Sequence, residues 1–295
     1  MLAGALLAGA SMIAAAASLP ADDAERACWL SHTRERTRVD FNSPSAVAFS
    51  NLRNGDVVTS PLLVEFAVRG MGVAPAGKPL KGTGHHHLLI DTPLPSSISD
   101  PIPFSATYRH FGKGQTSTLL ELAPGRHTLR LLFADHEHRP YFLFSPEVAI
   151  LVRGPRSSVP RPQVDPHDQA GTCAAWYADA IARPRPPDEP LYVANLRAGE
   201  TLNSPFNLRF GVDGLGVCAR GLEVEKTGTF RLEVLARTDR HRVQAYDLVN
   251  GSTQANVFVP VGAYTLRLHF VDPASGRDLL APQEMPIEVV GQDRI

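Results

Sequence analysis

The sequence predicts an all-β protein made of two tandem immunoglobulin-like antiparallel β-sandwich domains joined by a proline-rich linker. Its 295 residues include 25 prolines and 23 glycines, and only 20% are charged, which is typical of short strands separated by turns. That length suits one large domain or two ordinary ones. The net charge of −1 gives no basis for a nucleic-acid or anionic-membrane partner.

An internal repeat is the second observation behind this prediction. The matching segments are NLRNGDVVTSPLLVEF (51–66) with NLRAGETLNSPFNLRF (195–210), GMGV (70–73) with GLGV (214–217), KGTGHHHLLI (81–90) with EKTGTFRLEV (225–234), and PGRHTLRLLFAD (124–135) with VGAYTLRLHFVD (261–272). The spacing between matches is shorter for the last pair. The loop that follows Asp91 is therefore shorter in the second copy, and the chain holds two domains of one fold.

Period-two alternation of apolar residues is the third observation. Leu129, Leu131 and Phe133 share one face of a predicted strand. About seven short strands per copy fit a sandwich of two sheets, with a small barrel as the alternative. The predicted divisions are a signal peptide at 1–21, an N-terminal segment at 22–45, a first sandwich at 46–153, a linker at 154–190 and a second sandwich at 191–291.

The N-terminus, the linker and the cysteines bear on whether the chain is exported. Residues 1–21 are small and apolar, which predicts a signal peptide cleaved after Ala17 or Ala21 and no membrane span thereafter. The chain is therefore expected to be exported, to the periplasm or outside the cell. The linker holds eight prolines and the helix-like patch CAAWYADAIA. Three cysteines predict one disulfide and one free thiol, and all three pairings among them remain open.

Most of the histidines lie in the first copy, and the second copy has other residues at the positions that correspond to them. Strand parity sorts the three in TGHHHLLID (83–91). His86 corresponds to Phe230 and is expected to point inward, whereas His85 and His87 are expected to point outward, about 7 Å apart along the strand. His127, whose counterpart is Tyr264, resembles the tyrosine corner of immunoglobulin-like folds and is interpreted as structural.

The remaining histidines follow from the expected strand order. With strands lettered A to G, TGHHH opens strand C, HFGKGQT precedes strand E, and ADHEH leaves strand F. These connections meet at one end of an immunoglobulin-like sandwich. The predicted cluster at that pole is His85, His86, His87, His110, His136 and His138.

A metal site is the first hypothesis for this cluster. Imidazole suits Cu and Zn, and two to four histidines from neighbouring loops are enough to hold either ion. All six histidines are metal-ligand candidates, with His86 as an inward member. Because a ligating histidine must be neutral, metal affinity is expected to fall as the pH drops through about 6.5.

Two alternatives stand beside the metal site. One is a non-catalytic ligand-binding or structural module of the cell envelope, in which Arg109, Lys113 and Arg139 hold an anion or an envelope protein is the partner. The other is an enzyme with Glu137 as base. The sequence shows no nucleophile elbow, phosphate loop or dinucleotide fingerprint, so it favours a protein that is not an enzyme.

Several motifs of the first copy resemble one known family. GMGVAPAG (70–77), TGHHHLLID (83–91), HFGKGQT (110–116) and PGRHTLRLLFADHEH (124–138) occur in the order found in an exported bacterial domain of unknown function, family 4399. The resemblance covers roughly residues 46 to 153. It implies a small β-domain and an envelope location but no activity, and the second copy looks like a degenerate member without the histidines.

Overall fold

The computed structural model describes residues 14–40, 46–97 and 99–292. The first sandwich contains β2 (Ala46–Phe49), β3 (Val57–Ser60), β4 (Leu62–Arg69), β5 (Gly72–Val73), β6 (Thr83–Ile90), β7 (Tyr108–His110), β8 (Ser117–Leu120), β9 (Gly125–Ala134), β10 (Pro140–Phe144) and β11 (Val148–Pro155). The second contains β12 (Leu191–Val193), β13 (Thr201–Ser204), β14 (Phe206–Val212), β15 (Gly216–Val217), β16 (Thr227–Ala236), β17 (Arg242–Asp247), β18 (Gln254–Val257), β19 (Gly262–Val271) and β20 (Gln283–Gln292). Outside them lie β1 (Ala14–Ala15), α1 (Asp23–Ser31), α2 (Thr33–Thr37) and α3 (Gln169–Ile181).

Each sandwich packs a three-stranded sheet against a larger one. In the first, β2-β4-β8 covers β3-β11-β9-β6-β5, with β7 added on β6 and β10 on β9. The second repeats the order as β12-β14-β18 and β20-β19-β16-β15, with β13 and β17 added. The predicted fold class is confirmed. The number of strands exceeds the seven expected per copy because short edge strands such as β5 and β10 are added.

The inner and outer faces of β6 follow the predicted parity. His86, Leu88 and Ile90 point toward the space between the sheets, and Leu88 and Ile90 belong to its apolar core. His85 and His87 lie on the outer face as expected, and that face is buried too, since every residue of β6 is buried. A second, smaller core containing Leu89 and Ile102 explains this burial. It forms because Leu94, Ile102 and Tyr108 pack against the outer face of the sheet.

A pair of helices occupies the space beside the sandwiches. The predicted linker helix is α3, which begins four residues earlier than the sequence pattern indicated. Its partner α1 lies in the N-terminal segment, where no helix was predicted. The disulfide Cys28–Cys173 joins the two helices, and Cys218 is a buried free thiol. The pairing that the sequence left open is therefore settled by helix packing.

The two sandwiches contact each other through reciprocal hydrogen bonds. The Val73 N–H donates to the Gly251 carbonyl at 2.8 Å, and the equivalent Val217 N–H donates to Gly114 at 2.7 Å. A β-carbon on Gly72 would lie 1.7 Å from the Asn250 carbonyl oxygen. The second glycine of the GMGV motif, Gly72, is thus required because the backbone of the other sandwich passes directly over it.

Two predictions concern the N-terminus and membrane spans. Residues 1–13 of the predicted signal peptide lie outside the described residues, and β1 pairs in parallel with β20. Among the described residues, no helix has the length and apolarity needed to cross a membrane.

Candidate metal centre

The centre begins with two histidines on one strand. His85 and His87 lie on the outer face of β6, and both are fully buried. Their ring centroids are 5.0 Å apart. Their Nε2 atoms approach to 3.1 Å, within hydrogen-bonding distance. Because side chains two residues apart share a face of a strand, the sequence alone placed these two rings together.

The short strand β7 adds a third histidine. In the antiparallel register His110 lies directly opposite His87, and its ring centroid is 5.1 Å from that of His87. The ring of His110 also lies over the backbone of Gly112. A β-carbon at Gly112 would be 2.1 Å from His110 Nε2, so glycine leaves room for the imidazole.

The turn between β9 and β10 supplies the fourth histidine. Asp135 holds this turn, since its Oδ1 accepts hydrogen bonds from the N–H groups of Glu137 and Arg139. His138 takes a left-handed backbone conformation with φ of 67°. The turn thereby aims its ring at His110, with the centroids 4.8 Å apart.

These four side chains, here called the histidine cluster, are His85, His87, His110 and His138. One ring nitrogen each of His85, His110 and His138 lie within 4.8 Å of one another. His87 extends the group through its contact with His85. Three or four imidazoles at this spacing can converge on one transition-metal ion.

An aromatic side chain that the sequence reasoning missed closes the cluster. Phe104 stacks on His110 with centroids 4.5 Å apart and meets His138 edge-on at 5.0 Å. It remains 60% exposed to solvent. Its segment is anchored where the Ile102 N–H donates to the His138 carbonyl. The longer loop after Asp91 in the first copy was the signal that could have found it.

Burial favours the neutral form of His85, His87 and His110. Desolvation, with the charges of His110 and His138 nearby, lowers the pKa of His85 to about 3. Desolvation and the neighbouring histidines lower the pKa of His87 to about 2, and desolvation also lowers that of His110. The titration expected at about 6.5 therefore moves to lower pH. Neutral imidazole is the form that binds metals.

Several ring nitrogens in the cluster have no hydrogen-bond partner. They are buried, and no partner lies among the described residues. The atoms are His85 Nδ1, His87 Nδ1 and His110 Nε2. A buried polar atom without a partner is costly and calls for an explanation such as a missing ion or water.

Two of the six predicted ligand candidates lie away from the cluster. His86 points to the opposite face of β6, where its ring packs against Phe66 and Phe133 in the core. The structure therefore does not bring it to the other rings, and strand alternation is the reason. His136 lies in the same turn as His138, but no ring contact joins it to the cluster in the described part of the chain. Its backbone carbonyl accepts from Gly77.

The histidine interpreted as structural behaves as expected. His127 Nε2 lies 2.9 Å from the carbonyl of Ala123, four residues earlier. Its counterpart Tyr264 donates to the carbonyl of Pro260, also four residues earlier, at 3.0 Å. His127 thus occupies the tyrosine-corner position.

Two other groups that could have served as a metal site or as a catalytic base are already bonded or ion-paired. Cys28, Cys173 and His32 lie close together, but the two sulfurs are joined as a disulfide. Glu137, considered above as a catalytic base, is ion-paired with Arg139. Neither group adds an open site to the histidine cluster.

The cluster belongs to a stretch of chain that one family model matches. Residues 64–153, which include all four histidines, match the model of a domain of unknown function, DUF4399. The chain contains a DUF4399 domain. That domain was expected from residue 46, and the match begins at 64, inside β4. A search among curated proteins finds no match.

The DUF4399 domain and its neighbour are also similar to solved sandwiches. Fibronectin(III)-like modules of CbhA from Clostridium thermocellum are 11% identical, cover 83% of this chain and 94% of their own, and have a TM-score of 0.22. Two fibronectin type III domains of chicken tenascin are 10% identical over 82% and 97%, with a TM-score of 0.22. CopC from Methylosinus trichosporium OB3b is 15% identical over 33% and 89%, with a TM-score of 0.20. Because these TM-scores are low, the fold is assigned from the strand pairing described above and not from these similarities.

Proposed function

We propose that the DUF4399 domain binds one copper or zinc ion through His85, His110 and His138, with His87 as the fourth ligand or as a partner that orients His85. The observation that supports it is the meeting of three ring nitrogens, from three separate segments, within 4.8 Å. The second sandwich, which repeats the scaffold, has Thr229 and Arg231 in place of His85 and His87. The scaffold therefore does not need the histidines.

The type of ligand favours Cu(II) or Zn(II) over harder ions. An all-imidazole set suits these borderline metals, whereas Mg²⁺ and Ca²⁺ prefer oxygen ligands. The nearest turn carboxylate, that of Asp135, is already used by backbone N–H groups of the turn. Three histidines with one open position would match a catalytic zinc site, and four would match a closed one.

The chain's location enters the same proposal. A signal peptide at 1–21 would export the protein to the periplasm or beyond. The disulfide Cys28–Cys173 supports this, because structural disulfides persist in oxidising compartments. A metal-binding protein placed there would meet copper or zinc in the cell envelope.

The metal content of the protein tests the proposal. The untagged protein is dialysed against equimolar Cu(II), Zn(II) and Ni(II), and bound metal is counted by mass spectrometry. We expect about one ion per chain in the wild type. The His85→Ala/His87→Ala variant should retain none. His241→Ala, a largely exposed histidine of the second sandwich, should retain the wild-type amount.

The opposite result would leave another function. Equal metal in the wild type and the double variant, or no metal in either, would reject the metal centre. The first sandwich would then be a structural or ligand-binding module.

A further inference from the structure

The repeated NLR motifs frame a second site, away from the histidine cluster. A cleft of about 490 Å³ lies where the two sandwiches meet the helices. Residues 51–53 line it from the first sandwich and residues 195–197 line it from the second. Six arginines line it, and this group, with the cleft, is called the arginine cleft: Arg36, Arg53, Arg183, Arg185, Arg197 and Arg209.

The asparagine of each motif fixes its neighbouring strand in the same way. Asn51 Oδ1 accepts from the Glu65 N–H at 2.9 Å. Asn195 Oδ1 accepts from the Arg209 N–H, also at 2.9 Å. These equivalent contacts bring Glu65 and Arg209 to the cleft from the two sandwiches. A carboxylate on one side is thus replaced by a guanidinium on the other.

Four of the six arginines are neutralised by carboxylates. The pairs are Arg36–Glu200 at 2.7 Å, Arg53–Glu35 at 3.2 Å, Arg183–Asp179 at 2.6 Å and Arg185–Glu65 at 2.9 Å. Two guanidinium groups, those of Arg197 and Arg209, have no carboxylate within 4 Å in the described part of the chain. The lining also contains Glu189, whose Oε2 is buried and has no hydrogen-bond partner among the described residues. Counted with the four paired carboxylates, it leaves the cleft with an excess of one guanidinium charge.

The unpaired guanidinium groups are partly buried and poorly satisfied. The Arg197 guanidinium donates one hydrogen bond within the described part of the chain, to the Ser18 carbonyl at 3.4 Å, and lies 3.8 Å from the centre of the Trp29 ring. Arg209 donates one side-chain hydrogen bond, to the Ser50 carbonyl at 3.1 Å. Each guanidinium has five N–H donors, so most of them are left for another acceptor.

The pKa values of Arg197 and Arg209 reflect their burial and their lack of an ion pair with any described residue. Desolvation, together with the neighbouring charges of Arg185 and Arg36, lowers the pKa of Arg197 to about 10. Desolvation likewise lowers the pKa of Arg209. A buried charge without a counter-ion is unfavourable, and an anion entering the cleft would relieve it.

We propose that the arginine cleft binds a small anionic ligand whose carboxylate or phosphate group is held by Arg197 and Arg209. Guanidinium matches both oxoacid groups with paired N–H donors. The volume of the cleft lies in the range that holds small molecules. If the signal peptide is cleaved after Ala21, Ser18 leaves with it, and the Arg197 guanidinium then loses its one hydrogen bond.

Calorimetry with two probe anions tests this site. The full chain is expressed, its N-terminus is read by mass spectrometry, and inorganic phosphate and citrate are titrated at constant chloride. We expect one site with a Kd below about 1 mM for at least one probe. Arg197→Gln/Arg209→Gln should weaken it at least about tenfold, whereas Arg126→Gln, on an exposed strand position, should not change it. If phosphate binds more tightly than citrate, the ligand carries a phosphate group. If citrate binds more tightly, the ligand carries a carboxylate.

Two results would overturn the proposal. One is an absence of binding for both probes in the wild type. The other is equal binding in the wild type and the double variant. If the double variant does not fold, Arg197→Gln alone is used, because Arg197 has no carboxylate partner to lose. The His85→Ala/His87→Ala variant should keep anion binding, which separates this site from the metal centre.

Discussion

His85 and His87 bring their Nε2 atoms to 3.1 Å although their backbone positions are two residues apart on one strand. Such positions lie about 7 Å apart, so the two rings lean toward each other. A hydrogen bond at this distance requires one Nε2 to donate and the other to accept, which fixes different tautomers on the two rings. The two Nε2 atoms thus converge on the place where we propose that an ion binds.

The turn between β9 and β10 offers a matched pair of histidines. His138 contacts the cluster and His136 does not, although only Glu137 separates them. We expect His138→Ala to weaken metal binding at least about tenfold and His136→Ala to change it by less than about twofold. Competition with a chromogenic chelator measures both. Equal losses in the two variants would contradict the assignment of His138 as a ligand.

Metal affinity should depend weakly on pH near neutrality. Because burial lowers the pKa of His85 to about 3 and that of His87 to about 2, these ligands stay neutral at pH 5.5 in the folded protein. Three exposed imidazoles with a pKa near 6.5 would lose about a thousandfold in affinity between pH 7.5 and 5.5. We expect a far smaller loss, measured by chelator competition at both pH values. A thousandfold loss would show that the site opens to solvent.

The metal-free protein should lose stability in acid. His85, His86 and His87 have folded-state pKa values of about 3, 3 and 2, below the unfolded value of about 6.5. Below pH 6.5 the unfolded chain therefore binds protons that the folded chain does not. Their contribution is complete above pH 6.5 and falls toward pH 3. From pH 7.5 to 5.5 the free energy of unfolding should drop by up to about 4 kcal/mol, as measured by urea unfolding.

One substitution isolates the share of His86 in that loss. His86→Phe places in the core the residue that stands at the equivalent position 230 of the second sandwich. It should reduce the acid loss by about one third, since one of three buried titrating groups is removed. Metal binding should persist, because His86 faces away from the cluster. An unchanged pH dependence would mean that His86 does not titrate on unfolding.

Local patterns in the sequence predicted the parts of the structure that depend on strand geometry. Alternation placed His86 inward and His85 with His87 outward, and the comparison of His127 with Tyr264 gave the corner hydrogen bond. The gathering of His110 and His138 with them followed from strand order. These features need only the period of a strand and the order of strands in a sandwich.

Features that depend on long-range packing were not predictable in the same way. Alternation gave the direction of the outward rings but not what covers them, which is an outer core that includes Ile102, and Phe104 had no periodic signal. The pairing of Cys28 with Cys173 depends on α1, which the composition of its short segment did not reveal. His136 was grouped with His138 because sequence cannot tell which residue of a tight turn points inward.

The contact between Gly112 and His110 gives a test of how tightly the site is built. A β-carbon at Gly112 would lie 2.1 Å from His110 Nε2, so Gly112→Ala should push the ring aside. We expect metal affinity to fall about tenfold and the free energy of unfolding to fall by about 1 kcal/mol. In a His110→Ala background the added methyl group should have little effect on stability. If Gly112→Ala lowers the free energy of unfolding equally in the wild type and in the His110→Ala background, the strain does not arise from the His110 ring.

Phe104 should control how fast the ion leaves. Its ring stacks on His110 and meets His138 while 60% of it is exposed, so it covers the site and adds little to the core. Phe104→Ala should therefore change the free energy of unfolding by less than about 0.5 kcal/mol. Without the apolar cover, water and chelators reach the ion directly, and release should become about tenfold faster. Stopped-flow transfer to a chelator measures this rate. Phe142→Ala, also exposed but without ring contact to the cluster, serves as the control. Equal release rates in the two variants would show that the ion leaves by a path that Phe104 does not cover.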